Sequence, residues 1–185
     1  MKDILDVIKS RRSVRKFKPD PIPKEFIEKL LEAARWAPSW ANTQCWEFIV
    51  VKDPKIKAEL AEALVPPRNP AKEAVTKAPI VLVALGKKGV SGFYKGTPIT
   101  NKGDWLMFDV ALAVENLVLE AHSLGLGTVI VGAVDFEKAS KVLEVPGNVE
   151  VVALIPIGYP DQTPKPPPRK EISEFTYHEK YGRKE

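Results

Sequence analysis

The stretch that decides the fold is Trp105–Leu124, WLMFDVALAVENLVLEAHSL, the longest helical pattern in the chain. Apolar residues lie on nearly every face of this helix, and Gly125 follows it as a C-terminal cap. A surface helix has one apolar stripe, whereas a helix that is apolar nearly all round is buried. One small domain cannot cover the apolar surface of this helix on every side, so we predict that a partner chain covers part of that surface. Asp109 and Glu115 then need hydrogen-bond partners or a wet edge.

Shorter elements flank this helix on both sides. Helices are predicted at Asp3–Ser10, from Lys24 to before Pro38, from Pro54 to about Leu64, and near Phe136–Leu143. Strands are predicted at Phe48–Val51, Pro79–Leu85, Gly127–Val131 and Val151–Ile157. The strands are too scattered for a regular alternation of strand and helix, which indicates an α+β fold. With no repeat or linker, residues 1–185 form one domain that ends in a proline-rich arm from about residue 159.

Composition excludes several classes of protein. The chain has 185 residues, of which 44% are hydrophobic and 28% charged, as expected for one globular domain. No apolar run reaches the roughly 20 residues of a membrane span, and Asp3 and Asp6 interrupt the N-terminal apolar stretch, so we expect a cytoplasmic protein. A single cysteine and two histidines give no expected metal site. The net charge of +4 comes without a basic stripe and interleaved aromatics, so no nucleic-acid partner is expected.

The first dense chemical feature is the segment Arg11-Arg12-Ser13-Val14-Arg15, at a predicted helix-to-strand junction. Three guanidinium groups and a hydroxyl suit a phosphate, because arginine presents forked donors that match phosphate oxygens. A solvated basic patch explains the run equally well when it is taken alone. Arg169 and Lys170 follow three consecutive prolines, a stiff stretch that can hold them near the same anion.

The second feature is the turn Pro38–Phe48, PSWANTQCWEF. It places small amides and hydroxyls beside large aromatic rings, which is the mixture that a flat heteroaromatic ligand requires. Trp46 and Phe48 are better explained as core residues. The turn therefore indicates a ligand that is apolar on its faces and polar on its edge.

Two glycine-containing segments follow. Gly125–Gly132, GLGTVIVG, follows a helix and opens a strand, which is the reverse of the dinucleotide-binding order. Gly132, at the strand end, would let backbone amides approach a ligand. The five-glycine loop Gly86–Gly103 carries Phe93 and Tyr94, which we interpret as a substrate lid. Rings that simply pin the loop to the surface are the alternative.

In this order, the features resemble the FMN-dependent nitroreductase family. The shared pieces are R-R-S-V-R, P-S-x-x-N-x-Q-x-W, the apolar helix leading into G-L-G-T, then V-G, I-G-Y-P and a P-R-K tail. The resemblance implies an α+β sandwich with a mainly antiparallel central sheet flanked by helices. It also implies a homodimer that exchanges terminal segments and holds two FMN molecules at its interface.

The resemblance also assigns site residues. Those assigned to the cofactor are Arg11, Arg12, Ser13, Arg15, Pro38, Ser39, Asn42, Asn69, Lys72, Val131, Gly132, Arg169 and Lys170. The basic residues at the two termini would contact the phosphate and ribityl chain, and Arg15 the pyrimidine edge. Pro38, Ser39 and Asn42 would come from the other subunit, and the backbone of Val131 and Gly132 would donate to N5 and O4. No side chain is assigned as a dedicated acid or base. Cys45 stands where the family usually has proline.

The implied activity is ping-pong electron transfer, in which NAD(P)H reduces FMN and leaves before a nitroaromatic or quinone acceptor takes its place. Two alternatives stay open. One is a specialised enzyme of the same fold that removes halogen or destroys flavin. The other is a dimer that binds or stores FMN without useful turnover.

Overall fold

The computed structural model describes residues 3–184, which form helices and both short and long strands in irregular order. The helices are α1 (Ile4–Ser10), α2 (Lys24–Arg35), α3 (Pro54–Ala61), α4 (Lys72–Lys77), α5 (Leu106–Ser123), α6 (Phe136–Val142) and α7 (Ile172–Phe175). The strands are β1 (Trp46–Val51), β2 (Ile80–Lys87), β3 (Phe93–Tyr94), β4 (Thr97–Pro98), β5 (Gly127–Thr128) and β6 (Val149–Gly158). No helix among these residues is long and apolar enough to cross a bilayer.

The main sheet has the strand order β1-β2-β6-β5, and each neighbouring pair is antiparallel. Its centre is β2, whose first seven residues are all buried, so both faces of this strand are covered. The register between β2 and β6 shifts between Ala84 and Leu85. This arrangement agrees with the α+β sandwich and antiparallel sheet expected from the sequence.

Each face of the sheet has its own hydrophobic core. Leu82 and Ala84 of β2 belong to the core that includes α2 and α5, whereas Val81 and Val83 belong to the core with α3, α4 and α6. The alternation follows from the two-residue period of a strand. Helix α5 is therefore buried against the sheet and α2, and it leaves one stripe exposed. That stripe consists of Met107, Phe108, Ala111 and Glu115.

Three local predictions differ from the structure. Helix α4 was not predicted, because six residues between prolines and a strand are too few to show a helical period. The loop 86–103 contains the hairpin β3–β4, whose turn residues Lys95 and Gly96 have φ of 49° and 78°. Positive φ at both turn residues is typical of a tight two-residue hairpin. Strand β5 is shorter than predicted, and beyond it Val129 N–H donates to Pro156 O at 3.4 Å and Val131 forms an isolated antiparallel bridge with Leu154 of β6.

Candidate active site

The basic segment Arg11–Arg15 is held against β5 by backbone contacts. Val14 N–H donates to Thr128 O at 2.8 Å, and Ser13 forms a parallel bridge with Thr128. The two segments approach so closely that a Cβ at Gly127 would lie 2.8 Å from Val14 Cβ. Only glycine fits there, so the G-L-G sequence after α5 positions the arginines rather than forming a dinucleotide loop.

Two adjoining clefts lie beside this segment, and both include Arg11 and Arg12 in their walls. The first has a volume of 320 Å³ and is also lined by His122, Thr128 and Gln162. The second has a volume of 290 Å³, and its main lining residues are Arg11, Arg12, Ser13, Arg15, Lys165 and Arg169. The structure thus brings Arg169 to the N-terminal basic cluster. Lys170 is exposed and does not line either cleft.

The arginines that line these clefts form no ion pair with an acidic side chain of residues 3–184. Arg12 is fixed by the end of α1, because its Nη1 donates to Lys9 O and Arg11 O, each at 2.7 Å. His122 ties α5 to α1, with its Nε2 2.7 Å from Ser10 Oγ. None of the ion pairs formed in residues 3–184 engages an arginine of the clefts. Forked donors with no carboxylate partner fit a dianionic phosphate group.

The aromatic turn has an unusual backbone. Ala41, Asn42 and Gln44 have φ of 43°, 57° and 46°, a left-handed region that non-glycine residues seldom occupy. Ser39 Oγ accepts from Gln44 N–H at 3.0 Å, and Gln44 Nε2 donates to Asn42 Oδ1 at 3.2 Å. Pro38 and Asn42 are exposed and Ser39 is half-buried. The turn therefore presents polar groups to solvent in a fixed and strained shape.

Beneath the turn lies Asp109, which is 1% exposed and sits in the first turn of α5. Both of its carboxylate oxygens accept from Trp40 N–H at 3.1 Å. The sequence indicated that Asp109 needs partners, and the structure supplies them, whereas Glu115 is exposed. What the sequence did not reveal is that these partners come from the turn.

One chain does not bring the turn and the basic clefts together. Asp109 holds the turn at the start of α5, and His122 lines a cleft at the end of the same helix. His122 lies thirteen positions after Asp109, which corresponds to about 20 Å along the helix axis. Within a single chain, the predicted contacts of Ser39 and Asn42 are therefore far from those of Arg11.

One predicted backbone donor is corrected by the structure. Val131 N–H donates to Leu154 O at 2.8 Å, and Val131 O accepts from Leu154 N–H at 3.0 Å. The prediction that Val131 N–H donates to a cofactor is wrong, because the sheet uses this donor. Gly132 is exposed, and a Cβ there would meet nothing within 4 Å. Its role as a backbone donor stays a prediction.

Asn69 and Lys72 lie outside both clefts and have partners within the chain. Asn69 Nδ2 donates to Val65 O at 2.8 Å, and its Oδ1 accepts from Ala71 N–H at 2.9 Å. Lys72 Nζ is 2.7 Å from Glu62 Oε1. These contacts give both side chains a structural role, and their assignment to the cofactor stays a prediction.

The predicted lid is an ordered hairpin with a fixed base. Gly89 N–H donates to Asp104 Oδ2 at 2.7 Å, and Trp105 N–H donates to Ser91 O at 3.1 Å. Tyr94 near the tip is 64% exposed, whereas Phe93 is half-buried. The hairpin thus has one half-buried ring and one that projects into solvent.

The fold and the arginine-lined clefts together define a protein of the α+β class with a candidate anion site. The sequence profile of the Nitroreductase family matches residues 8–159. A protein of Methanothermobacter thermautotrophicus, provisionally assigned as an NADH dehydrogenase/NAD(P)H nitroreductase, is 31% identical over 166 residues. The alignment covers 88% of this chain and 80% of that protein. The chain belongs to the nitroreductase family, so the resemblance noted in the sequence is confirmed.

Solved structures agree with this membership. A nitroreductase family protein from Clostridium novyi NT is 34% identical with a TM-score of 0.78, and the match covers 99% of this chain and 97% of that one. Oxidized iodotyrosine deiodinase bound to FMN and 3-iodo-L-tyrosine is 27% identical with a TM-score of 0.78. This second match covers 92% of this chain and 96% of that one. Both likenesses extend over the whole sandwich and confirm the predicted fold class.

Proposed function

We propose that this chain is an FMN-dependent oxidoreductase that passes electrons from NAD(P)H to a nitroaromatic, a quinone or a similar acceptor in the cytoplasm. The observation that carries the proposal is the pair of clefts at Arg11, Arg12 and Arg169, whose guanidinium groups have no acidic partner among the described residues. A solved relative is bound to FMN, and a curated relative is assigned to NAD(P)H chemistry. Bound FMN supplies the hydride chemistry, for which protein side chains have no equivalent.

The residues of the clefts divide the work of binding. Arg11 and Arg169 would hold the phosphate from the two ends of the chain, and Ser13 would add a hydroxyl donor. Arg12 stiffens the site, because its contacts with Lys9 O and Arg11 O hold the guanidinium in place. Arg15, exposed at the end of the same segment, is assigned to the pyrimidine edge, where a fixed cation stabilises developing negative charge.

We further propose that the active unit is a homodimer. A two-fold axis that pairs two α5 helices in antiparallel fashion would place the turn of one copy beside the basic clefts of the other. This geometry resolves the separation of about 20 Å between the two halves of the site. It would also cover the apolar surface that one chain leaves open. That surface includes Ile4, Leu5, Ile8, Met107 and Phe108, which are 47–65% exposed.

Anaerobic mixing of the purified, FMN-loaded protein with NADH and NADPH tests the proposal. We expect the flavin absorbance to bleach and then to recover when a quinone or a nitroaromatic is added. A yellow protein that neither nicotinamide bleaches would favour FMN storage. A protein that takes up no FMN would overturn the assignment.

Dehalogenation is a second candidate, because the deiodinase relative aligns over almost the whole chain. The same reduced protein mixed with 3-iodo-L-tyrosine separates the two activities. Release of iodide with flavin recovery faster than that with a quinone would favour the deiodinase reading. No iodide release would leave the nitroreductase-type activity as the assignment.

A further inference from the structure

We propose that Asp109 is a positioning residue that holds the turn Ser39–Cys45 in its cofactor-binding shape and ties that turn to the base of the hairpin. The inference rests on the proposed function, since it assumes that the turn meets FMN. It concerns a residue that does not itself reach the clefts. The juxtaposition that carries it is one buried carboxylate shared by two separate segments of the site.

The contacts of Asp109 join those two segments directly. From the turn, Trp40 N–H donates to both carboxylate oxygens at 3.1 Å, and Thr43 Oγ1 donates to Oδ2 at 3.4 Å. Cys45 Sγ lies 3.7 Å from the same Oδ2. From the hairpin base, Ser91 Oγ donates to Oδ2 at 2.6 Å. Burying a carboxylate costs free energy unless several donors hydrogen-bond to it. The contacts of Asp109 with the turn and with Ser91 therefore depend on one another.

The turn needs an external restraint of this kind. Ala41, Asn42 and Gln44 all have positive φ, and such strain persists only where the surroundings hold it. The turn's own side-chain hydrogen bonds join Ser39, Asn42 and Gln44 on its exposed side. The contacts with Asp109 are on its buried side. Without the contacts with Asp109, the positive φ values of the turn are held less firmly, and Asn42 is no longer kept in its exposed position.

The cysteine of the turn is part of the same arrangement. Cys45 is fully buried, and burial first and the charge of Asp109 second raise the pKa of its thiol to about 12. The thiol therefore stays protonated at neutral pH and donates to the carboxylate.

The hairpin base is equally constrained. Ser91 is fully buried, and a Cβ at the neighbouring Gly92 would lie 2.6 Å from the ring of Trp105. Trp105 in turn packs against Trp40 of the turn, with ring centroids 5.3 Å apart. Asp109 and this pair of rings make one unit of the turn and the hairpin base. Removing a hydrogen-bond donor from the hairpin base should therefore loosen the turn, and removing one from the turn should loosen the hairpin base.

The first test uses Cys45, the only cysteine in the chain, as a reporter of the turn. We expect a thiol reagent to label the apo-protein at least tenfold faster in Asp109→Ala than in the wild type. Asp109→Asn, which keeps an oxygen for Trp40 N–H, should lie between them and measures the effect of charge alone. Ser91→Ala should raise the rate about threefold, although Ser91 is not in the turn.

The matched control is Asp104→Asn. Asp104 accepts from Gly89 and Leu106 at the same end of α5, and its charge also raises the pKa of the Cys45 thiol, although less than Asp109 does. Asp104 makes no hydrogen bond to the turn, so this variant controls for the loss of a nearby negative charge. It should leave the labelling of Cys45 within twofold of the wild type. The inference would be overturned if Asp109→Ala were labelled at the same rate as Asp104→Asn or as the wild type.

The second test measures FMN affinity from the quenching of flavin fluorescence on binding to apo-protein. We expect about tenfold weaker binding in Asp109→Ala and less than threefold in Asp109→Asn and Asp104→Asn. Melting temperatures are recorded for each variant. A lowered melting temperature with unchanged FMN affinity and unchanged labelling, measured well below melting, would mean that Asp109 is structural only.

The outcomes separate this inference from the proposed function. A wild-type protein that does not bind FMN overturns the proposed function and the cofactor role of the turn, whereas the labelling rates still decide whether Asp109 anchors it. If the wild type binds FMN and the Asp109 variants keep the wild-type FMN affinity and labelling rate, only the inference is overturned. If Asp109→Ala does not fold, Thr43→Val and Ser91→Ala each remove one donor, and unchanged labelling in both would also reject it.

Discussion

The two ends of α5 carry opposite kinds of chemistry. At the start of the helix, the carboxylate of Asp109 is buried and accepts hydrogen bonds from the turn and from Ser91. At its end, Arg11 and Arg169 border clefts and have no acidic partner among the described residues. A polar group that the chain satisfies itself serves as scaffold, whereas one that the chain leaves unsatisfied is available to a ligand. The comparison predicts rigidity at the first end and ligand dependence at the second.

The largest expected effect comes from separating the two ends that a dimer would bring together. Ala111 is exposed in the middle of the α5 stripe. Ala111→Arg should weaken the dimer by at least about 3 kcal/mol, because it buries an unpaired charge. Sedimentation should give about 41 kDa for the wild type, twice the 20.5 kDa of one chain, and the monomer mass for the variant.

Ala58→Arg is the matched control, since Ala58 is exposed on α3. It should stay dimeric and keep its FMN. Monomers in both variants, or a monomeric wild type, would contradict the dimer and the pairing of the two ends of α5.

The next effect concerns the basic end alone. Arg11→Ala and Arg169→Ala should each weaken FMN binding by about 1.5–3 kcal/mol, as for a charged hydrogen bond. Lys24→Ala removes the same charge from an exposed helix position and should change the affinity little. If FMN titrations gave both arginine variants the wild-type affinity, the clefts would be a solvated basic surface and not a binding site.

An effect that is smaller when measured at about pH 10 is expected at the start of α5, where Cys45 meets Asp109. The pKa of the Cys45 thiol is raised from its ordinary 9.0 to about 12, so the folded state holds its proton more tightly than the unfolded state. The resulting stability is fully present below about pH 9 and falls as pH rises toward 12, by about 1.4 kcal/mol per pH unit.

Denaturant unfolding of the wild type and Cys45→Ala at a series of pH values measures this slope. The variant should lose stability less steeply above about pH 9, while below that pH the difference between the two proteins stays constant. Parallel curves across the whole range would show that the thiol is not linked to folding.

The smallest effect is expected at the hairpin above the acidic end. Replacing Phe93 and Tyr94 together by alanine should raise KM for a quinone or nitroaromatic a few-fold, since an aromatic acceptor loses its stacking surface. FMN content and melting temperature should hardly change. Unaltered kinetics with a lower melting temperature would mean that the rings only hold the hairpin in place.

The sequence predicted best the parts of the fold that long patterns define. The central helix was placed within one residue at each end, because its apolar run is long and Gly125 caps it with φ of 79°. Helix α4 and the hairpin were missed, since six-residue and two-residue elements depend on their neighbours more than on their own period.

The candidate site was predicted in part for the same reason. Arginines and a stiff proline stretch are local features, and the approach of Arg169 to Arg11 follows from them. The partners of Asp109 lie up to 69 residues away, so only tertiary packing could identify them. The misassigned donor Val131 has a similar cause, because a strand pattern does not reveal which N–H groups a neighbouring strand uses.

The exposed C-terminal arm contributes Arg169 to the second cleft, and proteolysis could remove this arm from the folded body. Residues 165–175 are all exposed, and Arg169 lies in the middle of them. A proline-specific protease that cuts after Pro168 would remove Arg169 together with the distal arm, whereas a trypsin-like protease that cuts after Arg169 or Lys170 would leave Arg169 on the body. Since neither core includes this segment, the body would remain folded after the cut. Clipping before Arg169 would therefore convert an intact fold into one with an incomplete anion site, a loss that refolding cannot repair.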